Sequence, residues 1–275
     1  LHELLNINLI LAIDLIAGIL CNVYLNKRKK RRAQSLNKKL LKQTESIPMG
    51  DFIITNNYQF DSIPDQQMVI HAIDSRIWLM GNEDKELKQA LLQSDILVPN
   101  GAGITLAARW LTGKQIHNVS RDDLHLSILQ HLDKVAGSVF YLGASDRTLA
   151  LITERILTEY PNIRVKTYSP PYRDSFSEEE TNKMITAINE FKPDVLFIGM
   201  SVSKQEKWIA TNRHLLHTHL ISGIGAVFGF YGGTTSYPPQ WRKQQSLSAI
   251  KILITALQIK NRKKSIKTST EYETN

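Results

Sequence analysis

Residues 194–208 read DVLFIGMSVSKQEKW and join a short apolar run to a polar, helix-forming segment. The run Val195 to Ile198 follows a Lys-Pro pair and precedes a glycine, which is typical of a strand buried on both faces. From Ser203 onward the apolar residues recur at helical spacing, so the stretch predicts a strand, a tight turn and a helix. In α/β proteins ligands bind at this kind of junction, where backbone N–H groups of the helix are unpaired. Three polar residues occupy the predicted first turn, as ligand contacts or as solvated side chains: Lys204, Gln205 and Glu206.

Strand and helix patterns alternate along residues 50–241, and we find no internal repeat. The predicted strands are Phe52–Thr55, Met68–Ala72, Ile96–Pro99, Ser138–Leu142, Ile163–Tyr168, Val195–Gly199 and Leu220–Ser222. The predicted helices are Asp84–Gln93, Ile104–Leu111, Asp122–Leu132, Arg147–Tyr160, Ser177–Phe191 and Gln205–Leu216. With right-handed crossovers, this order predicts an α/β, Rossmann-like fold with a mostly parallel sheet and helices on both faces.

The net charge of +8 is concentrated at the two ends of the chain. Residues 1–49 hold 9 Lys and Arg against 3 acids, residues 242–275 hold 8 against 2, and residues 50–241 hold 17 against 21. Basic ends on a mildly acidic body predict contact between the ends and an anionic partner. The basic runs lack interleaved aromatic residues and any nucleic-acid-binding motif, so no nucleic-acid partner is expected and an anionic membrane surface is favoured.

The terminal segments have the character of membrane-associating sequences. Residues 1–32 combine an apolar stretch with the basic run KRKKRR, which indicates a membrane anchor with the body on the cytoplasmic side. Asp14 lies near the middle of that stretch, where an acidic side chain disfavours insertion into a bilayer. The alternatives are a non-native extension of the chain and a helix that packs on a partner. Residues 33–49 are expected to be a linker. Residues 242–275 predict a basic amphipathic helix, which would lie on the membrane or close over the core of the body.

Four predicted strand ends carry small residues that let a ligand approach the backbone. They are residues 99–103 (PNGAG), 143–145 (GAS), 199–201 (GMS) and 223–226 (GIGA). Together they predict a phosphate-bearing or nucleotide-like ligand along one edge of the sheet. The sequence has no GxxxxGK[ST], no GxGxxG after a strand, and no HExxH-type or DxD-type cluster. P-loop, dinucleotide and metal-dependent sites are therefore disfavoured, and no cofactor is expected.

Six segments resemble, in order, the WecG/TagA/CpsF glycosyltransferases of bacterial surface polysaccharide and teichoic acid synthesis. They are PNGAG (99–103), RDDL (121–124), FYLGAS (140–145), EYPNIRV (159–165), KPDVLFIGMSVSKQEKW (192–208) and GIGAVFGFYGGTTSYPPQW (223–241). The resemblance implies an inverting, metal-independent hexosyltransferase. It would move an N-acetylmannosamine-type sugar from a UDP-sugar donor to a polyprenyl-diphosphate-linked acceptor at the cytoplasmic membrane face. The oligomeric state is left open.

The resemblance also implies site residues. Asp74 and Asn100 would be catalytic, and the substrate-binding positions would be Ala72, Gly101, Asp123, Gly143, Gly199, Lys204, Gln205, Glu206, Gly225 and Gly229.

Several of these positions depart from the family pattern. Asn100 stands where the family has the Asp of PDG, thought to be the base, and an amide cannot accept the proton of an acceptor hydroxyl. The Thr and Asn of the family's TxN become Ala72 and Asp74. The remaining changes are Arg121 for a glycine, Ser203 for a proline, Gly229 for an aspartate and Tyr237 for an arginine. Two interpretations remain open. In the first, the carboxylate and the amide have exchanged places between Asp74 and Asn100, and Asp74 is the base. In the second, the site has lost its activity, and the protein binds a nucleotide or acts as a scaffold.

Overall fold

The computed structural model describes residues 44–236 and 250–258. The strands are β1 (Glu45–Met49), β2 (Phe52–Asn56), β3 (Met68–Ile73), β4 (Ile96–Pro99), β5 (Ser138–Gly143), β6 (Arg164–Tyr168), β7 (Val195–Gly199) and β8 (Leu220–Gly223). Strands β3 to β8 form one parallel sheet in the order β4-β3-β8-β7-β5-β6, and β1 pairs with β2 in a separate antiparallel hairpin. The predicted α/β, Rossmann-like fold is confirmed.

Helices connect the strands and cover the sheet. They are α1 (Ser75–Glu83), α2 (Lys85–Leu92), α3 (Ala102–Thr112), α4 (Arg121–Val135), α5 (Asp146–Glu159), α6 (Glu178–Phe191), α7 (Lys204–Asn212) and α8 (Val227–Tyr231). A 3₁₀ turn, Arg213–Leu215, ends the segment that the sequence predicted as one helix to Leu216, and residues 250–258 are helical.

The central strand β7 is buried on both faces, as its apolar run predicted. Val195 and Phe197 belong to the core cluster that contains residues of α4 and α5, whereas Leu196 and Ile198 belong to the cluster that contains residues of α6 and α7. All four side chains are fully buried. Successive side chains of a strand point to opposite faces of the sheet, and here both faces are covered by helices. All four residues of the run can therefore be apolar.

A third core cluster joins the β1–β2 hairpin to α1, α2 and α3. The last residues of the predicted linker form β1, and its Pro48 is tolerated because β1 is an edge strand. Ile252 and Ala256 of the 250–258 helix are buried in the same cluster, while Ile250, Ile254 and Leu257 are exposed. One side of this helix thus closes over the core of the body.

The described residues cover only part of the predicted terminal segments. The predicted anchor at residues 1–32, most of the linker and the tail outside residues 250–258 lie beyond them. Within residues 44–236 and 250–258, no helix has the length and apolar character needed to cross a bilayer.

The sequence predicted one helix after β3, but the structure has two. Asp84 ends α1, where its N–H donates to the Met80 carbonyl 2.8 Å away, and it begins α2. The Asp84 carboxylate accepts the N–H groups of Glu86 and Leu87 at 2.9 and 3.0 Å. The apolar pattern of α1 was missed because Gly81 and Asn82 interrupt its last turn.

Asp194 ties three central strands together at their amino ends. Its Oδ2 accepts from the backbone N–H and the hydroxyl of Ser138, both at 2.7 Å, at the start of β5. Its carbonyl accepts from the N–H of Leu220 at 3.0 Å, at the start of β8. The stretch 194–208 therefore sets the register of β5, β7 and β8 before it reaches the opposite edge of the sheet.

At that opposite edge, β5 and β7 approach so closely that a side chain on Gly143 has no room. A Cβ at Gly143 would lie 2.4 Å from the Gly199 carbonyl oxygen, and Gly143 has φ +118°. Gly113, at the end of α3, also has a positive φ of +71°, but a Cβ there would meet nothing within 4 Å.

Alanine at Gly143 tests this close approach. We expect Gly143→Ala to lower the unfolding free energy by about 2–4 kcal/mol, because backbone strain adds to a clash with backbone atoms that cannot rotate away. Gly113→Ala, which carries the backbone strain alone, should cost about 1 kcal/mol. Urea denaturation followed by circular dichroism measures both, and equal losses for the two variants would contradict the close approach.

Candidate functional site

The carboxyl ends of five sheet strands surround one cavity of about 700 Å³. Its wall comes from the residues that follow β3, β4, β5, β7 and β8. They are Asp74, Ser75, Arg76, Asn100, Gly101, Arg121, Ala144, Thr148, Gly199, Met200, Ser201, Val202, Gln205, Ile224, Gly225, Ala226, Phe228, Gly229, Thr234 and Thr235. This volume is in the range of pockets for drug-sized ligands and cofactors.

Asp74 lies at the rim between β3 and α1, with both carboxylate oxygens engaged. Its Oδ1 accepts from the N–H of Ile77 at 2.9 Å and caps α1. Its Oδ2 pairs with an Arg121 nitrogen at 3.2 Å, and the same nitrogen donates to the Ala72 carbonyl at 2.9 Å. The carboxylate therefore has a defined direction, and 30% of the Asp74 side chain stays exposed.

Asn100 follows β4 directly beside Asp74. Ile73 and Pro99 are partners across the β3–β4 ladder, and the N–H of Asn100 donates to the Ile73 carbonyl at 2.9 Å. Asn100 is 6% exposed. The positions predicted to exchange carboxylate and amide are thus neighbours on adjacent strands and share the cavity wall.

Gln205 and Glu206 form a buried polar pair under the cavity. Glu206 is 1% exposed and accepts from the N–H of Ser203 and from Gln205 Nε2, both at 2.8 Å. Burial raises the pKa of the Glu206 carboxyl, although these two donors and the charge of Arg121 oppose the rise. Gln205 is 2% exposed, and among the described residues its Oε1 has no hydrogen-bond partner. Glu206 thereby orients the amide of a residue that lines the cavity.

His71, a residue of β3, lies beside the Gln205 side chain. Its Cε1 and the Gln205 amide approach the same point above Gly223, 3.2 and 2.9 Å from where a Cβ would stand. The ring is 2% exposed, and neither ring nitrogen has a hydrogen-bond partner in the described part of the chain. Burial, with the charges of Arg121 and Arg213, lowers the pKa of His71 to about 3, so the ring is neutral near pH 7.

Ser203 adopts a backbone conformation that the family's proline cannot. Its φ is +77°, whereas proline is held near −65°, and its N–H is the donor to Glu206. A proline at position 203 could therefore not form the turn that leads into α7 in this chain.

Seven of the predicted site residues line the cavity: Asp74, Asn100, Gly101, Gly199, Gln205, Gly225 and Gly229. The others lie near it without lining it. Ala72 and Glu206 are buried, and Gly143 packs against Gly199. Asp123 accepts from the Ser120 hydroxyl at 2.6 Å, at the start of its own helix. Lys204 sits 3.6 Å from the centre of the Phe176 ring and donates to the Arg173 carbonyl, so it is held by the loop after β6.

Sequence reasoning missed other residues on the wall. Arg76 went unnoticed because the sequence analysis did not predict α1, so this arginine belonged to no predicted element. A hydroxyl cluster of Thr148 and Thr234, whose oxygens are 3.3 Å apart, was also missed. Thr235 fills the space beside Gly229, where a Cβ would lie 2.7 Å from its hydroxyl oxygen. Within the described residues, no group of three or more His, Cys, Asp and Glu side chains is placed to hold a metal ion.

A sequence profile described as "Glycosyl transferase WecG/TagA/CpsF family" matches residues 55–250. The chain belongs to this family. The match includes all six strands of the parallel sheet and every residue that lines the cavity. The site thus lies within the part of the chain that defines the family, and the protein is a divergent glycosyltransferase-family member.

The curated relatives share about a quarter of their aligned residues with this chain. An N-acetylglucosaminyldiphosphoundecaprenol N-acetyl-beta-D-mannosaminyltransferase of Bacillus subtilis (strain 168) is 26% identical over 208 residues, covering 72% of this chain and 78% of its own. A protein of the same name from Bacillus spizizenii is 25% identical over 160 residues, 58% of this chain and 60% of its own. One from Staphylococcus aureus (strain NCTC 8325 / PS 47) is 26% identical over 147 residues, 54% of this chain and 56% of its own.

Because His71 is buried and neutral, the dependence of stability on pH tests its protonation state. In the unfolded chain the ring takes up a proton near pH 6.5, while in the folded chain it stays neutral to about pH 3. Stability contributed by this residue is therefore lost as the pH falls below about 6.5. We expect His71→Gln to reduce the slope of unfolding free energy against pH by about 1.4 kcal/mol per unit between about pH 4 and 6.

Urea denaturation at several pH values measures that slope. His125 is also buried with a pKa of about 3, so a similar contribution remains in the variant. The exposed His117 gives the control variant His117→Gln. If His71→Gln and the control show the same slope, the pKa of His71 does not differ between the folded and unfolded chains and the assignment is wrong.

Proposed function

We propose that this protein transfers an N-acetylmannosamine-type sugar from a UDP-sugar to a polyprenyl-diphosphate-linked N-acetylglucosamine acceptor, for a surface polysaccharide or teichoic acid-type polymer. Family membership and the names of the curated relatives support the sugar and the acceptor. The cavity supports a nucleotide-sugar donor, because its volume of about 700 Å³ suits a ligand of that size.

The observation that carries the chemistry is the position of Asp74. Among the described residues that line the cavity, Asp74 is the one carboxylate, and Asn100 stands next to it. In the proposed step, the Asp74 carboxylate takes the proton of the acceptor hydroxyl as that oxygen forms a bond to the anomeric carbon of the sugar. The bond from this carbon to the phosphate oxygen breaks, and UDP leaves with the electron pair, which inverts the anomeric centre.

Neighbouring groups fit a preorganised site. Asn100 is positioned to orient the sugar or the acceptor by its amide, and the Gln205 oxygen is directed by Glu206 to accept a hydrogen bond from a substrate. The helix-capping bond and the ion pair of Asp74 fix its carboxylate before substrate arrives. Such fixed polar groups lower a barrier because they need no reorganisation during the reaction.

We also propose that the protein acts at the cytoplasmic face of the membrane, where a lipid-linked acceptor is anchored. Ile250, Ile254 and Leu257 form an exposed apolar stripe on the 250–258 helix, opposite its buried side. The residues from 242 to the end carry 8 Lys and Arg against 2 acids, which suits anionic lipid.

Replacing Asp74 by asparagine tests the proposed base. Asparagine keeps the helix cap and an acceptor for Arg121 but cannot take a proton. We expect kcat for UDP release, with a UDP-N-acetylmannosamine donor and a short-chain lipid-diphosphate N-acetylglucosamine acceptor, to fall by about 10²- to 10⁴-fold. Asp61→Asn, an exposed position away from the cavity, serves as the control and should keep full activity.

Two outcomes would contradict the proposal in different ways. Full activity of Asp74→Asn would remove Asp74 as the base while leaving the transfer reaction in place. A wild-type protein that binds UDP yet releases none from the donor would favour the alternative function, a catalytically silent nucleotide-binding or scaffolding relative.

A further inference from the structure

The charged side chains of the cavity wall form an unusual set. Among the described residues that line it, they are Asp74, Arg76 and Arg121, so the wall holds two cations and one anion. Asp74 and Arg121 already pair at 3.2 Å. Within residues 44–236 and 250–258, Arg76 is exposed and makes no hydrogen bond or ion pair. The cavity therefore carries one positive charge in excess, on a side chain free to move toward a ligand.

Both arginines stand where helix electrostatics disfavours a cation. Arg76 is the second residue of α1, whose first turn contains no acid. Arg121 is the first residue of α4, a helix of 15 residues whose first turn also contains Asp122 and Asp123. The amino end of a helix has a partial positive charge, and a cation there typically costs about 0.3–1 kcal/mol at an exposed site. Two such positions that open on one cavity suit a ligand with more than one negative charge.

The two guanidinium groups differ in mobility. Arg121 is held by the Ala72 carbonyl and by Asp74, its side chain is 19% exposed, and its charge opposes protonation of His71 and Glu206. Arg76 has no such restraint. A ligand with two linked negative groups suits this pair of arginines on the wall between β3 and α4. Arg121 can hold one group in place while Arg76 moves to bind the other.

A second observation points independently to a bound ligand. Gln205 lines the same cavity, is 2% exposed, and its Oε1 is buried without a hydrogen-bond partner among the described residues. A buried acceptor of this kind costs free energy unless a donor reaches it. The cavity thus offers an unpaired acceptor as well as two cations, which is the complement of a polar, anionic molecule that also carries hydrogen-bond donors.

We propose that Arg76 and Arg121 form a clamp that binds the diphosphate of a substrate on the β3–α4 side of the cavity, with Asp74 positioning Arg121. The inference rests on the proposed function for the identity of the substrates. Two of these, the nucleotide and the lipid-linked acceptor, contain a diphosphate. The clamp supplies charge-assisted hydrogen bonds to phosphate oxygens, and for a departing UDP it neutralises the charge that develops on the leaving oxygen.

Isothermal titration of four ligands tests the clamp without requiring turnover. The probes are UDP, uridine, inorganic diphosphate and a short-chain polyprenyl-diphosphate N-acetylglucosamine. The variants are Arg76→Gln and Arg121→Gln, and Arg109→Gln on the exposed side of α3 is the control outside the cavity. We expect each cavity variant to weaken a diphosphate ligand by about tenfold to a hundredfold, as loss of a charge-assisted hydrogen bond implies. Uridine and the control should change less than about twofold.

The pattern of losses identifies the source of the diphosphate. Weaker binding of UDP and inorganic diphosphate, with the acceptor unchanged, assigns the clamp to the nucleotide. Weaker acceptor binding with UDP unchanged assigns it to the lipid. Unchanged binding of all probes in both variants, equal weakening of uridine, or no binding by the wild type overturns the proposal.

Two features keep the test decisive. The exposed Arg76 side chain makes no hydrogen bond or ion pair among the described residues, so we expect Arg76→Gln to keep the fold even if Arg121→Gln does not, and thermal unfolding checks both. A protein that binds UDP through these arginines but transfers no sugar would refute the transfer reaction and keep the clamp. A protein that transfers sugar with unaltered binding in both variants would refute the clamp alone.

Discussion

The cavity depends on a steric constraint: three of the five strands around it, β5, β7 and β8, end in glycine and carry no side chain there. A Cβ at Gly199 would lie 2.5 Å from the Phe228 ring, and one at Gly223 would lie 2.9 Å from the Gln205 amide. A Cβ atom does not approach another heavy atom this closely, so these two side chains reach their places because the glycines are there. The glycines therefore do more than permit turns. They let an aromatic ring and an amide from neighbouring helices form the floor of the cavity.

On that floor, polar groups are held by partners that the protein itself supplies. Glu206 is almost fully buried, and a buried carboxylate is costly unless its oxygens are satisfied; the Ser203 N–H and the Gln205 amide do this at 2.8 Å. The arrangement is stable only with the unusual turn at Ser203, where φ is +77°. The turn at Ser203 supplies the N–H that satisfies the buried carboxylate, and the carboxylate in turn orients Gln205.

Local patterns in the sequence were sufficient for the sheet and for the edge where the site lies. Buried runs such as Val195–Gly199 and the small residues after them are local signals, and the structure has the same strand. The sequence could not show that residue 74 would meet residue 121, since this 3.2 Å contact joins residues 47 positions apart. It assigned β1 to a linker because only two apolar residues, Ile47 and Met49, alternate there and a proline lies between them, whereas packing in the third core cluster decides their structure.

The departures from the family pattern converge in space. Ala72, Asp74 and Arg121 differ from the family's Thr, Asn and Gly, and one Arg121 nitrogen contacts both the Ala72 carbonyl and the Asp74 carboxylate. An aspartate at this rim without Arg121 would be an unpaired anion, and Arg121 without it would be a further uncompensated cation in the cavity. At Gly229, where the family has an aspartate, Thr235 occupies the vacated space. Decay of an unused site removes groups independently of one another, whereas here three of the changed positions, 72, 74 and 121, are in direct contact. This contact supports the proposed role of Asp74 as the base.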